Sequence, residues 1–340
     1  MDEDCLYLNI WTPAKSPDEK LPVYVWYFGG GLQVGYPSEM EFYGERIARR
    51  GVVVVTINYR LNVFGFLCHP EITSESPEAP ANFGHLDQQV ATRWVKRNIA
   101  AFGGDLDNIT IGGQSAGGGS VMAQLTSPQN EGLFQRAIVM SGVFTNMYPG
   151  TRTPRFLRSL SEAEQEGVKF FEYLGVSSLR EARQIPAPEL MRKALAYNGF
   201  WVTVTDGVFN VGNSFDLFIR NKRHMVPVMM GHTSSEFFSV PQAETVEEFR
   251  QLAVEMFGED ADTFLELCNA RSGDLVEMKR RASASCAWTP LYYYNFDAEI
   301  PGWDNPGTFH LVDLCFFFET LAKCWRPFVG KEIPGWRQVL

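Results

Sequence analysis

Asn108-Ile109-Thr110-Ile111-Gly112-Gly113-Gln114-Ser115-Ala116-Gly117-Gly118-Gly119-Ser120 runs from a β-branched segment into a glycine-rich one. Ser115 sits at the centre of Gly-x-Ser-x-Gly. The bare pattern is a weak signal, since roughly 0.2 such matches are expected by chance in a chain of this size and composition. Its context is stronger. Asn108 to Ile111 reads as the end of a buried strand, and Ser120 to Leu125 as a helix that closes near Ser127-Pro128. A strand, a sharp turn and a helix form the setting that exposes a nucleophilic serine. The turn forces the serine into strained backbone space, and flanking side chains would collide with the neighbouring chain.

Other apolar runs extend the pattern in both directions. Leu6–Trp11, Pro22–Phe28, Val52–Ile57, Ile109–Ile111, Ala137–Met140, Val226–Met230 and Leu291–Phe296 read as strands. Pro22–Phe28 is continuously apolar, as a central parallel strand should be. Between them lie helix-like segments: Asp87–Ile99, with an apolar face at 90, 94, 95 and 99, then Ser161–Tyr173 and Val246–Met256. The alternation predicts an α/β fold with a mostly parallel central sheet and helices on both faces. No repeat, low-complexity tract or linker interrupts the 340 residues, so one domain over 1–340 is the simplest organisation.

Composition narrows the classes. A net charge of −10 opposes binding to nucleic acid or an anionic membrane surface. No apolar run is long enough to span a bilayer. The acidic start, Met1-Asp2-Glu3-Asp4-Cys5, has no apolar leader segment, which points to the cytoplasm for the chain as written, with secretion the alternative if the N-terminus is truncated. The six cysteines are scattered without Cys-x-x-Cys pairs, which disfavours zinc and suggests buried thiols. No cofactor is called for. Asn108-Ile109-Thr110 matches a glycosylation sequon but leads into a strand expected to be buried.

A serine nucleophile needs an oxyanion hole, a base and an acid. Phe28-Gly29-Gly30-Gly31-Leu32 follows the second strand, where Gly30 and Gly31 can offer backbone N–H groups, with Ala116 as the third donor. Among five histidines, His69 sits in an early loop, His85 before a helix, and His224 in a basic, surface-like run. His232 follows a strand, but its neighbourhood fits the acid better. His310 comes after the last strand and before a helix, as the base should. For the acid, Asp206 and Glu236 both lie past strands, and Asp206-Gly207 looks more like a turn. Phe144, Trp201, Phe237 and Phe238 are candidates for pocket walls, with core packing the simpler role for each.

The chain resembles the type-B carboxylesterase/lipase family, the cholinesterase-like branch of the α/β-hydrolases. The likeness rests on Glu3-Asp4-Cys5-Leu6-Tyr7-Leu8-Asn9-Ile10, Phe28-Gly29-Gly30-Gly31, Asn58-Tyr59-Arg60-Leu61 and Phe102-Gly103-Gly104-Asp105 through Gly117. It continues in Gly231-x-x-x-x-Glu236, Gly307-Thr308-Phe309-His310 and Trp325-Arg326-Pro327. The resemblance implies an α/β-hydrolase fold and hydrolysis of small ester substrates through Ser115, Glu236 and His310. It also implies an oxyanion hole of Gly30, Gly31 and Ala116. The rival classes are a non-catalytic adhesion-type homologue and a shortened, inactive esterase. Family members are longer, so a chain truncated at both ends, with exposed apolar surface, is expected. Gln114 stands where Glu is common and His85 where an apolar residue is common, and Leu311 and Cys315 are atypical. Gly273–Trp288 looks shortened, and the upstream partner that Cys5 has in secreted relatives is missing.

Overall fold

A computed structural model describes residues 3–142, 158–233, 243–285, 292–297, 308 and 310–320. Nine strands occur among them: β1 (Leu8–Trp11), β2 (Leu21–Tyr27), β3 (Val53–Ile57), β4 (Gly104–Gln114) and β5 (Arg136–Met140) come first. They are followed by β6 (Arg158–Ser159), β7 (Val204–Thr205), β8 (Val228–Thr233) and β9 (Tyr292–Phe296). Seven of these form one sheet in the order β1-β3-β2-β4-β5-β8-β9. Only β1 runs antiparallel; every other pairing in this sheet is parallel. The small β6-β7 pair stands apart.

The parallel strands are buried on both faces, and their alternation divides the core in two. Val23, Val25 and Tyr27 of β2 point to one side with Val53, Val55, Ile109 and Ile111. Tyr24 and Trp26 point to the other with Val54, Phe66, Phe170 and Phe318. Period-two side-chain direction is the cause. Each large side chain fully removed from water contributes about 2–3 kcal/mol of transfer free energy, so continuous Val, Ile and aromatic runs commit these strands to the centre.

Strand order reverses at β2, with β3 on one side and β4 on the other. The loops that leave the carboxyl ends of β2 and β4 therefore diverge and open a crevice between them. Tyr27 is paired with Gly113, so the two strand ends finish level. That register places the Gly29–Gly31 loop beside Ser115.

Several sequence expectations are corrected. β4 begins at Gly104, well before the β-branched run. The helix after Ser115 begins at Ala116, so Gly117–Gly119 are helical, not part of a turn. His85 lies inside the helix Phe83–Asn98, not before it. Of the expected apolar face, Val95 and Ile99 are buried and Trp94 packs against the core, but Val90 is 57 % exposed, and the polar His85, Gln88, Gln89 and Thr92 are buried as well. His232 lies within β8 rather than after it, paired with Asn295 of β9. Cys68, Cys268 and Cys315 are buried as expected, Cys5 is only partly so, and Cys286 and Cys324 lie outside the described residues.

Candidate active site

Ser115 is the non-helical residue between β4 and the helix Ala116–Thr126, at φ 57°, ψ −126°. Such a conformation costs a side-chain-bearing residue on the order of 1–3 kcal/mol, so the surroundings must impose it. They do so through hydrogen bonds on both sides. The Ser115 N–H donates to the Met140 carbonyl of β5 at 2.9 Å, and its carbonyl accepts from Gly119 N–H at 2.9 Å. A trans peptide points its N–H opposite to its carbonyl. With the Ser115 carbonyl aimed down the helix, the Ala116 N–H is aimed out of the helix N-terminus, where no intrahelical acceptor exists. Ser115 itself is 8 % exposed.

The glycine loop is organised in the same way. The Gly30 carbonyl accepts from the N–H groups of Gln33 at 3.0 Å and Val34 at 3.1 Å. The N–H of Gly31 belongs to that same peptide unit and is therefore turned the other way. Upstream, the buried Tyr59 hydroxyl donates to the Phe28 carbonyl at 2.6 Å, and the two rings stack with centroids 4.4 Å apart. Gly30 adopts φ +102°, and a Cβ there would lie 2.1 Å from the Val34 carbonyl oxygen, so only glycine fits. A Cβ built on Gly29 would stand 3.1 Å from Ser115 Cβ, which measures how closely the loop approaches the elbow.

His310 is brought to the same edge of the sheet from 196 residues beyond Gln114, and its Nε2 lies 3.3 Å from Gln114 Nε2. It is 4 % exposed. Leu311, at φ 83°, turns the chain into the helix Val312–Phe317. The Tyr294 hydroxyl of β9 donates to Asp313 Oδ2 at 3.2 Å and ties that helix to the sheet. Thus the Gly29–Gly31 loop lies against the Ser115 elbow, and His310 reaches Gln114, the residue before it. Glu236, Phe144, Phe237 and Phe238 lie outside the described residues.

The remaining candidates go elsewhere. Asp206 forms a turn, its Oδ1 accepting from the N–H groups of Val208, Phe209 and Asn210, each at 2.9 Å, and its Oδ2 from Asn82. Trp201 is core: it packs against Phe170, with centroids 5.1 Å apart, and is 3 % exposed. His69 caps the helix Pro70–Glu75, accepting from Glu71 N–H through Nδ1. His224 is half-buried against the Ser127 carbonyl at 2.7 Å, not solvated as its basic neighbours suggested.

A polar network behind the elbow escaped the sequence reading. Ser120 Oγ donates to the Ala116 carbonyl at 2.9 Å and accepts from Gln88 Nε2 at 3.0 Å. Gln88 Oε1 faces His85 Nδ1 at 3.0 Å, and His85 Nε2 faces Thr203 Oγ1 at 2.8 Å. Because Gln88 spends its N–H on Ser120, its oxygen accepts from His85, which fixes the proton on Nδ1 and leaves Nε2 to accept from Thr203. Polar residues spaced along the buried face of Phe83–Asn98 were the available signal. Burial lowers the His85 pKa from 6.5 to about 4. The unfolded chain thus binds a proton that the native one refuses, and stability falls as pH drops from 6.5 towards 4, by on the order of 3 kcal/mol. His85→Leu is expected to be less stable than wild type at neutral pH, because Thr203 and Gln88 lose their partner. That gap should narrow on acidification, since the variant lacks the titrating ring. Urea midpoints of both proteins at pH 7 and pH 4.5 check this; a constant gap would count against it.

Compared with known proteins, the parallel sheet, elbow serine and flanking glycine loop are those of an α/β-hydrolase. A structure of a PNB esterase superposes with a TM-score of 0.73 at 29 % identity, covering 95 % of this chain and 72 % of that one. The Carboxylesterase family model matches residues 1–255, and the chain belongs to that family. The fumonisin B1 esterase of Sphingopyxis macrogoltabida is 33 % identical over 94 % of this chain and 62 % of its own length. The para-nitrobenzyl esterase of Bacillus subtilis (strain 168) is also 33 % identical, over 94 % of this chain and 68 % of its own. The chain therefore spans less than two thirds of the length of the first of these relatives. Among the described residues, no helix is long and apolar enough to cross a membrane.

Proposed function

We propose that the chain is a carboxylic ester hydrolase that works through Ser115, His310 and Glu236. The observation that carries this reading is the strained backbone of Ser115 between β4 and its helix, with the glycine loop packed against it. Ser115 Oγ attacks the ester carbonyl carbon while His310 takes its proton. The C=O π electrons move onto oxygen, and the N–H groups of Gly30, Gly31 and Ala116 receive that oxyanion. Collapse expels the alcohol, protonated by His310, and leaves an acyl-serine. Water, deprotonated by His310, then releases the acid and restores Ser115. Glu236 orients the imidazole and stabilises its cationic form. Its assignment rests on the Gly231-x-x-x-x-Glu236 spacing of the family.

The substrates are small-molecule esters. The printed names of the relatives, a fumonisin B1 esterase and a para-nitrobenzyl esterase, support ester chemistry. Purified protein offered p-nitrophenyl acetate and p-nitrophenyl octanoate is expected to hydrolyse at least one of them, and the ratio of the two rates reports the depth of the acyl site. Folded protein inert to both would sink this reading in favour of a binding role.

A further inference from the structure

The glycine loop holds a strained residue beside a side-chain strut. Leu32 sits at φ +63°, where a residue with a Cβ pays roughly 1–2 kcal/mol. Its carbonyl accepts from Asn62 N–H at 2.7 Å. The carbonyl of the preceding residue, Gly31, is reached by a side chain: Gln33 Nε2 lies 3.2 Å from it. The same nitrogen donates at 2.5 Å to the carbonyl of Trp201, 168 residues away in sequence.

Trp201 is a rigid anchor. Its ring is buried against Phe170 and Tyr197. Two residues on, Thr203 Oγ1 meets His85. The N–H and carbonyl of Val204 are both bonded to the Asn82 side chain, at 2.9 and 2.8 Å. The Gln33 amide therefore joins a fixed point in the core to an exposed, side-chain-free pivot in the loop. The backbone of Gln33 meets the same loop: its N–H donates to the Gly30 carbonyl at 3.0 Å, in the peptide that carries the Gly31 N–H.

We propose that Gln33 is a positioning residue for the oxyanion loop. By bridging the Trp201 and Gly31 carbonyls, its side chain fixes residue 33, so that its own backbone N–H stays on the Gly30 carbonyl at 3.0 Å and the Gly31 N–H of that same peptide stays on target. This inference rests on the ester hydrolase reading and deepens it. Gln33 touches no reacting atom; it acts through Gly31.

The test uses Gln33→Met, which keeps length without a donor, and Gln33→Glu, which sets an acceptor against two carbonyls. Rates on p-nitrophenyl butyrate are taken per serine titrated with a fluorophosphonate, so misfolded molecules do not count. Gln33→Met is expected to lower kcat about tenfold with KM within about twofold, as a slight misplacement of one donor does. Phenylboronic acid, which mimics the tetrahedral intermediate, should bind more weakly by a similar factor, and Gln33→Glu should lose at least as much. Active wild type with either variant at wild-type kcat, or with KM alone raised, overturns this inference and leaves the parent reading intact. Wild type without Ser115-dependent hydrolysis overturns both.

Discussion

Ser115→Ala is expected to remove ester hydrolysis while leaving the fold in place. In serine hydrolases, loss of the nucleophile alone lowers kcat by about 10⁶-fold, and the residual rate comes from binding and the oxyanion hole. The substitution is small. The Ser115 backbone bonds to Met140 and Gly119 remain, because they use main-chain atoms. The thermal midpoint should therefore shift little. Hydrolysis of p-nitrophenyl butyrate, labelling by a fluorophosphonate and a melting curve on the same preparations decide the matter. Retention of more than about a hundredth of the wild-type rate by well-folded variant would assign the nucleophile to another residue.

Gly117→Ala should harm both stability and activity, although alanine is the better helix former. A Cβ on Gly117 would lie 2.0 Å from the Tyr27 carbonyl oxygen and 2.7 Å from that of Phe28. Both are main-chain atoms of a buried strand end and cannot swing aside as a side-chain tip would. Either the helix lifts or the end of β2 moves, and overpacking of this kind costs about 3 kcal/mol or more. The displacement acts directly on the gap between the Ala116 N–H and the glycine loop. A shift of about 1 Å there is worth about a hundredfold in rate. Gly132→Ala is the control: Gly132 has φ +70° with nothing within 4 Å of an added Cβ, so it reports backbone strain without the clash. Equal destabilisation by the two substitutions, or normal kcat in Gly117→Ala, would contradict the account.

What could be read from residues alone follows from how local each signal is. Val53–Ile57 and Leu21–Tyr27 declare themselves because every position but Thr56 is apolar, as burial on both faces favours. The first half of β4, Gly104-Asp105-Leu106-Asp107-Asn108, carries poor strand formers and is held by its neighbours instead, so its start was missed. Gly117, Gly118 and Gly119 look like a turn by propensity, yet tight contact with β2 and β5 makes a helix of them. Ser115 and the loop Gly29–Gly31 were legible as a site because strand, turn and helix are contiguous in sequence. The Gln33–Trp201 bridge and the His85–Gln88–Ser120 chain were not. They join segments far apart in sequence through single side-chain atoms, and nothing periodic marks them. The exposed Val90 shows the converse error: one valine of the apolar face points outward, while Val95 and Ile99 share the buried side with polar residues.

The reversal of strand order at β2 also has a temporal side. The pairings that shape the Ser115 elbow and aim the Ala116 N–H involve β2, β3, β4 and β5, all complete by Met140. The imidazole of His310 is encoded far later. At ribosomal speeds the interval between the two is on the order of ten seconds. On the proposed roles, a growing chain carries its serine and glycine loop before the imidazole assigned to proton transfer has been made.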